Sequence, residues 1–286
     1  MLHEIICVIP FFNFNDNPIL VANHNATIQD LDAHGIPNIT IECLLPHQLS
    51  TLDCSRITVS TSSVLWQKEA LLNHVFPFYQ HVPYIVWLDS GILMSEGWID
   101  ETLTALQSSD VVQCFTFGIF MRKDGIIDNI SQTSFAYSFL HKKPVALQTA
   151  CTGAAMAARS SVFKTASLYP YCIVGGGDTR FMNVFRTVPI NCRPACNTVQ
   201  FIHYNEWLTE MRKLDLKLGY SNKTFFTHLW HMNQANRQIG NRQAILKYGG
   251  YNPVGDTDLI NGTLEWTDIA SSLLKKEVEQ YIRNRV

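Results

Sequence analysis

Three separated segments of this chain carry side chains able to act on one substrate: Trp87-Leu88-Asp89-Ser90-Gly91, Gly175-Gly176-Gly177-Asp178 and His228-Leu229-Trp230-His231. Asp89 follows an apolar run, and a carboxylate in that position suits a cation-bound anion, because the cation screens one negative group from the other. It equally suits a turn or cap. The triple glycine permits positive φ and close backbone approach, and the aspartate after it stands where a helix begins. Asp178 is therefore either an N-cap or a general base that the helix N-terminus keeps ionised. Histidines three apart can meet one ion, on a helical turn or where a strand bends. Downstream, Arg237 and Arg242 offer forked donors for phosphate oxygens. Upstream, Trp66 to Asn73 reads as an amphipathic helix with Lys68 and Glu69 in solvent, unless its place before the Asp89 strand turns Lys68 toward a diphosphate.

Positioning these groups requires an alternating scaffold, and the first ninety residues supply it. Tyr84 to Leu88 is a continuous apolar run between Pro83 and Gly91, the pattern of a strand buried on both faces, so Asp89 emerges at its carboxyl end. Glu4 to Pro10, Asn38 to Leu44 and Arg56 to Ser60 are further strands. Asn17-Pro18 caps a helix that runs to Ala33 and stops at Gly35, and Val64 to Phe76 has helical spacing. Strands alternating with helices predict a mainly parallel sheet, whose carboxyl edge is where open α/β sheets bind ligands. Beyond it, Trp98 to Gln107 reads as a helix and Asp110 to Phe117 as one strand ended by Gly118. The stretch up to Pro144 reads as an excursion over the substrate side. A helix opens at Asp178, and helical spacing returns from Tyr204, Asn236 and Ser271.

With 286 residues, 22 Lys and Arg against 24 Asp and Glu, and 16% charged residues, the chain suits one large α/β domain with no global field toward nucleic acid. No run approaches a membrane span, and the start lacks a basic segment, so Glu4 to Pro10 is expected to be a strand rather than a signal peptide. Eight scattered cysteines fit reduced thiols in a cytoplasm.

Taken in order, these segments resemble the GT-A glycosyltransferases, and more closely a family-2-like group of nucleotide-sugar transferases. The shared features are Val8-Ile9-Pro10-x-x-Asn13, Ile41-Glu42, Trp66-Gln67-Lys68-Glu69 with Asn73, Trp87-Leu88-Asp89, Val111-Val112-Gln113 and Gly153-Ala154-Ala155 to Arg159. They continue through the Gly175 and His228 segments, Asn236-Arg237-Gln238 with Arg242, and Tyr251-Asn252-Pro253 to Arg283. The resemblance implies an α/β fold of GT-A type, a mixed, mainly parallel sheet flanked by helices. A core over residues 1–235 would carry a C-terminal helical extension over 236–286 packed on it. It implies that Pro10, Asn13, Glu42, Lys68, Asp89 and Arg237 surround a nucleotide-diphosphate. Asp89, His228 and His231 would hold a divalent cation, Mn²⁺ in preference to Mg²⁺, and Asp178 would deprotonate an acceptor hydroxyl for inverting transfer. The implied partners are a donor such as a UDP- or GDP-sugar and an acceptor on a glycan, glycoconjugate or protein. Gly91 stands where many relatives carry the second Asp of Asp-x-Asp, and Met232 and Ile239 stand where Gly and Tyr are usual. The alternative is therefore a degenerate transferase that binds nucleotide or glycan without turnover. A metallohydrolase ranks lower, because no glutamate sits beside the histidines as in His-Glu-x-x-His.

Overall fold

The computed structural model describes residues 2–142, 150–186, 196–232, 236, 238 and 241–285. Its first half is the predicted alternation: β1 (Ile5–Phe12), α1 (Pro18–Ala33), β2 (Asn38–Leu44), β3 (Arg56–Ser60), α2 (Lys68–Val75), β4 (Tyr84–Leu88), β5 (Ile92–Met94) and α3 (Trp98–Leu106). Next come β6 (Val111–Gln113), β7 (Phe117–Met121), β8 (Ile127–Thr133), α4 (Phe135–Leu140), β9 (Ala155–Arg159) and α5 (Gly177–Met182). The remainder is α6 (Thr198–Arg212), β10 (Leu218–Tyr220), β11 (Phe225–His228), α7 (Arg242–Tyr248), α8 (Pro253–Asp256), β12 (Thr257–Ile260), β13 (Thr263–Trp266) and α9 (Ser272–Asn284). The start of α1 follows its sequence signal. Pro18 occupies the first turn and the Asn17 side chain accepts from the Ile19 N–H.

Seven strands form the main sheet in the order β10-β6-β9-β4-β1-β2-β3. β3, β2, β1 and β4 run parallel, while β9 is antiparallel to both neighbours. Side chains alternate between two cores. Ile6, Val8, Ile85 and Trp87 face a layer containing α2, α6 and α9, while Ile5, Cys7, Val86 and Leu88 face α1 and α3. Burial on both faces explains why these strands read as unbroken apolar runs.

From β1 the chain steps through β2 to β3 on one side, then returns to place β4 on the other. The carboxyl ends of β1 and β4 thus flank a topological switch point, where a crevice opens between diverging connections.

Two predictions about the middle of the chain need correction. Asp110 to Phe117 is not one strand, because β6 joins the main sheet while β7 joins a second sheet, β5-β11-β7-β8. Gly118 does not end a strand either, since it lies inside β7, where a Cβ would stand 2.3 Å from the Phe226 ring. The region after residue 236 is also less purely helical than expected, for β12 and β13 pair as a hairpin between its helices. Among the described residues no helix is long and apolar enough to cross a membrane.

Candidate functional site

The turn that follows β4 is braced from three directions. The Asp89 N–H donates to the carbonyl of Ala154, the residue before β9, at 2.8 Å, and the Gly91 N–H donates to Thr27 Oγ1 on α1 at 3.0 Å. The Gly91 carbonyl accepts from the Leu229 N–H at 2.9 Å, and Asn23 Nδ2 donates to the Trp230 carbonyl at 3.0 Å, which ties the two-histidine segment to the same turn. Behind it His24 contacts Ser90 Oγ at 3.2 Å and Thr40 Oγ1 at 3.0 Å, and burial holds its imidazole neutral, with the pKa down to about 4.

Gly91 has φ +82°, and a Cβ there would meet Asn23 Cβ at 3.3 Å. A side chain at this position is strained and crowded by α1. Gly91→Asp is accordingly expected to lower stability by about 1–2 kcal/mol without strengthening Mn²⁺ binding. Thermal melting with a Mn²⁺ titration checks this, and tighter metal binding in a fully stable variant would contradict it.

Asp89 points at a lysine. Lys68, at the start of α2, places Nζ 2.5 Å from Asp89 Oδ1 and 2.8 and 3.0 Å from the two Asp178 oxygens. One ammonium therefore joins the carboxylates of β4 and α5. Burial alone would lower the Lys68 pKa, but Asp178, Asp89 and Glu69 outweigh it and raise it, so the ammonium keeps its proton. For Asp178 burial raises the pKa, Lys68 opposes, Asp89 adds to the rise, and the balance lies above the ordinary carboxylate value. A carboxylate more basic than usual is what a general base needs.

Glu69 was expected in solvent and is instead 2% exposed, with neither carboxyl oxygen hydrogen-bonded among the described residues. Its carboxyl lies against Gly177, where a Cβ would fall 2.1 Å from Oε1, so this glycine makes room for it. Burial, then repulsion from Asp178, pushes its pKa up to about 8 despite the pull of Lys68.

The native state thus holds a proton that the unfolded chain releases near pH 4.5. This contribution to stability is complete below that pH and is lost as pH rises through about 8, a change on the order of a few kcal/mol. Glu69→Gln should remove that slope. The melting-temperature difference between wild type and variant should therefore change between pH 5 and pH 8, and parallel curves would refute the assignment.

These groups share one cavity of about 330 Å³ at the switch point, lined by Pro10, Asn13, Lys68, Asp89, Asp178, His228, His231 and Arg242. The His228 and His231 rings are 4.8 Å apart between centroids, brought together where β11 ends and the chain bends.

Two sequence expectations are not met. Glu42 does not line the cavity, being 2% exposed on β2 and paired with Arg56 at 3.4 Å. Asp89 does not join the histidines in a ready-made metal site, because its carboxylate is turned to Lys68. Among the described residues no group of three or more His, Cys, Asp or Glu side chains could hold an ion. Arg237, expected at the phosphates, lies outside the described residues. Trp66 and Arg285 also line the cavity. Arg285 carried no local signal, since it is one of several charges on an amphipathic C-terminal helix.

No family model and no curated protein matches the chain. Among solved structures it is similar to the catalytic domain of Drosophila β1,4-galactosyltransferase 7 in complex with xylobiose, at 12% identity and TM-score 0.41, over 90% of this chain and 85% of that one. Similar too is glucosyl-3-phosphoglycerate synthase from Mycobacterium tuberculosis in complex with Mn²⁺, UDP and phosphoglyceric acid, at 11% identity and TM-score 0.42, over 85% and 75%. A mannosyltransferase from Pyrobaculum calidifontis in complex with GDP-Man and Mn²⁺ gives 10% identity and TM-score 0.44, over 85% and 61%. At such identities every residue role must be argued from this chain's own geometry.

Proposed function

We propose that the chain is a nucleotide-sugar-dependent glycosyltransferase of GT-A type that transfers to an acceptor hydroxyl with inversion. Residues 1–235 would form the transferase core and 236–286 an extension packed on it. The observation that carries this reading is one cavity at the sheet's switch point that combines a basic carboxylate, Asp178, with the strand-end residues Pro10, Asn13 and Asp89. In the proposed reaction Asp178 takes the acceptor's hydroxyl proton while the oxygen bonds to the anomeric carbon. The bond from that carbon to the diphosphate breaks, and the diphosphate leaves with the electron pair. Lys68 holds Asp178 in place through both carboxylate oxygens and remains charged throughout.

The donor set fits a divalent cation in part. His228 and His231 would hold it with oxygens of the diphosphate, Mn²⁺ suiting the two imidazoles better than Mg²⁺, and when bound it would offset charge on the leaving group. The test is incubation with a panel of UDP- and GDP-sugars and Mn²⁺, followed by donor consumption and product mass. Transfer or donor hydrolysis is expected. Absence of turnover together with absence of donor binding would overturn the reading, whereas binding without turnover would favour the degenerate binding module that Gly91 suggests.

A further inference from the structure

A second groove, of about 850 Å³ and sharing no lining residue with the switch-point cavity, lies where α6 and β12 face residues 167–171. Its wall is aromatic. Tyr169, Tyr171, His203 and Trp207 stand with neighbouring ring centroids 4.9 to 5.6 Å apart and their planes inclined at 49° to 89°. The wall is also fixed. Asn73 holds the Leu168 backbone through both side-chain atoms at 2.8 Å, Trp207 Nε1 donates to the Ser167 carbonyl at 3.2 Å, and Tyr169 and His203 share a hydrogen bond at 2.9 Å. A ligand that enters has little left to order.

The charges on this wall have one sign. Glu206 and Glu210 line the groove, and among the described residues no lysine or arginine does. Glu210 is paired with Lys213 at 2.6 Å, whereas Glu206 has no ion pair among the described residues. Burial lowers the His203 pKa against the pull of Glu206, so at neutral pH the imidazole adds no positive charge. Burial raises the Tyr171 pKa and Asp258 on β12 adds to the rise, which puts a third carboxylate nearby. Ile202 and Leu259, both half exposed, supply an apolar rim.

Ring faces with partial negative charge, carboxylates without balancing cations and an apolar rim together fit an organic cation. They fit a sugar less well. A pyranose lies flat on an open ring, but here Tyr171 and His203 meet at 89° and Tyr204 is stacked on Trp207 at 5.8 Å. A rounded, fully alkylated ammonium meets several rings at once and needs no hydrogen bond. The carboxylates around the groove repel the phosphate layer of a bilayer, so the ammonium arrives on a free molecule.

We propose that this groove binds the quaternary ammonium group of a small soluble molecule, with Tyr171, His203 and Trp207 as its cage and Glu206 as its counter-charge. The groove is large enough to hold also the group that carries the ammonium. The site lies beyond the proposed transfer chemistry and stands whether or not the chain turns over a nucleotide sugar.

The experiment is saturation-transfer NMR titration of the full chain with choline, with its uncharged isostere in which tert-butyl replaces trimethylammonium, and with cellobiose, on wild type, Tyr171→Leu and Glu206→Gln. Choline should bind about tenfold more tightly than the isostere, and cellobiose should not bind. Tyr171→Leu should weaken choline about tenfold and Glu206→Gln about threefold, since that carboxylate is exposed. Thermal melting reports folding. If Tyr171→Leu does not fold, the comparison of choline with its isostere on wild type, together with Glu206→Gln, carries the test. No choline binding, equal binding of the isostere, or folded variants that both bind choline as wild type does would overturn the cage. Cellobiose bound ahead of choline would make the groove a sugar site, and sedimentation with phosphatidylcholine vesicles without binding of free choline would make it a lipid site. Either outcome overturns the proposal.

Discussion

Asp178→Asn should reduce sugar transfer by about 10³-fold while leaving donor affinity within a few fold of wild type. The size follows from losing a positioned base, and the selectivity follows from shape. An amide keeps the carboxyl outline and its oxygen can still accept from Lys68 Nζ, so the link between α2 and α5 survives with one partner. Burial and Asp89 raise the Asp178 pKa, so wild-type kcat/KM should climb with pH through a value above that of an ordinary carboxylate. That acidic limb should disappear in the variant. Steady-state kinetics across pH, with donor binding measured in parallel, decides the matter. An Asn variant within tenfold of wild type would remove Asp178 as base, and wild type and variant equally inert but both binding donor would establish a binding module.

Much of this scaffold was legible in the chain because its central strands are buried on both faces, while the exposed edge strand β3 showed only through its β-branched residues. Asn38 to Leu44, Arg56 to Ser60 and Tyr84 to Leu88 begin and end where β-branched and apolar runs meet breakers, and those runs coincide with β2, β3 and β4. Local patterns failed where the partner is distant. Asp110 to Phe117 has no breaker, so nothing local shows Cys114 to Thr116 crossing from one sheet to another, and Gly118 reads as a stop although it serves the Phe226 ring.

The helix predicted from Val64 starts at Lys68 for a similar reason. The Trp66 N–H bonds the Ile173 carbonyl, and Gln67 pairs through both side-chain atoms with the Leu264 backbone, which holds this segment out of the helix. Asp89 and Asp178 were visible as candidates. That one buried lysine joins them was not, since the contact spans 110 residues between Lys68 and Asp178 and local spacing carries no trace of it.

Lys68→Met is expected to destabilise the protein by about 3 kcal/mol at pH 8, the lower end of the range for breaking a buried ion pair because Asp89 keeps partial access to water. For a chain of this size that lowers the melting temperature by roughly 6–10 °C. The loss should shrink toward pH 5. Without the ammonium, the buried Asp178 and Glu69 carboxyls lose the positive charge that opposes their raised pKa values, and both gain by holding a proton in the folded state. A folded pKa raised above its unfolded value gives stability that is present at low pH and lost as pH rises through the folded value, so the deficit must grow with pH. A simple packing defect would cost the same at both ends. If Lys68 instead served mainly as the phosphate ligand that the sequence suggests, the variant would lose donor affinity and keep its melting curve. Melts at pH 5 and 8 beside donor titrations separate the three cases, and a deficit equal at both pH values would show that the ammonium does not hold the two catalytic-side carboxylates together.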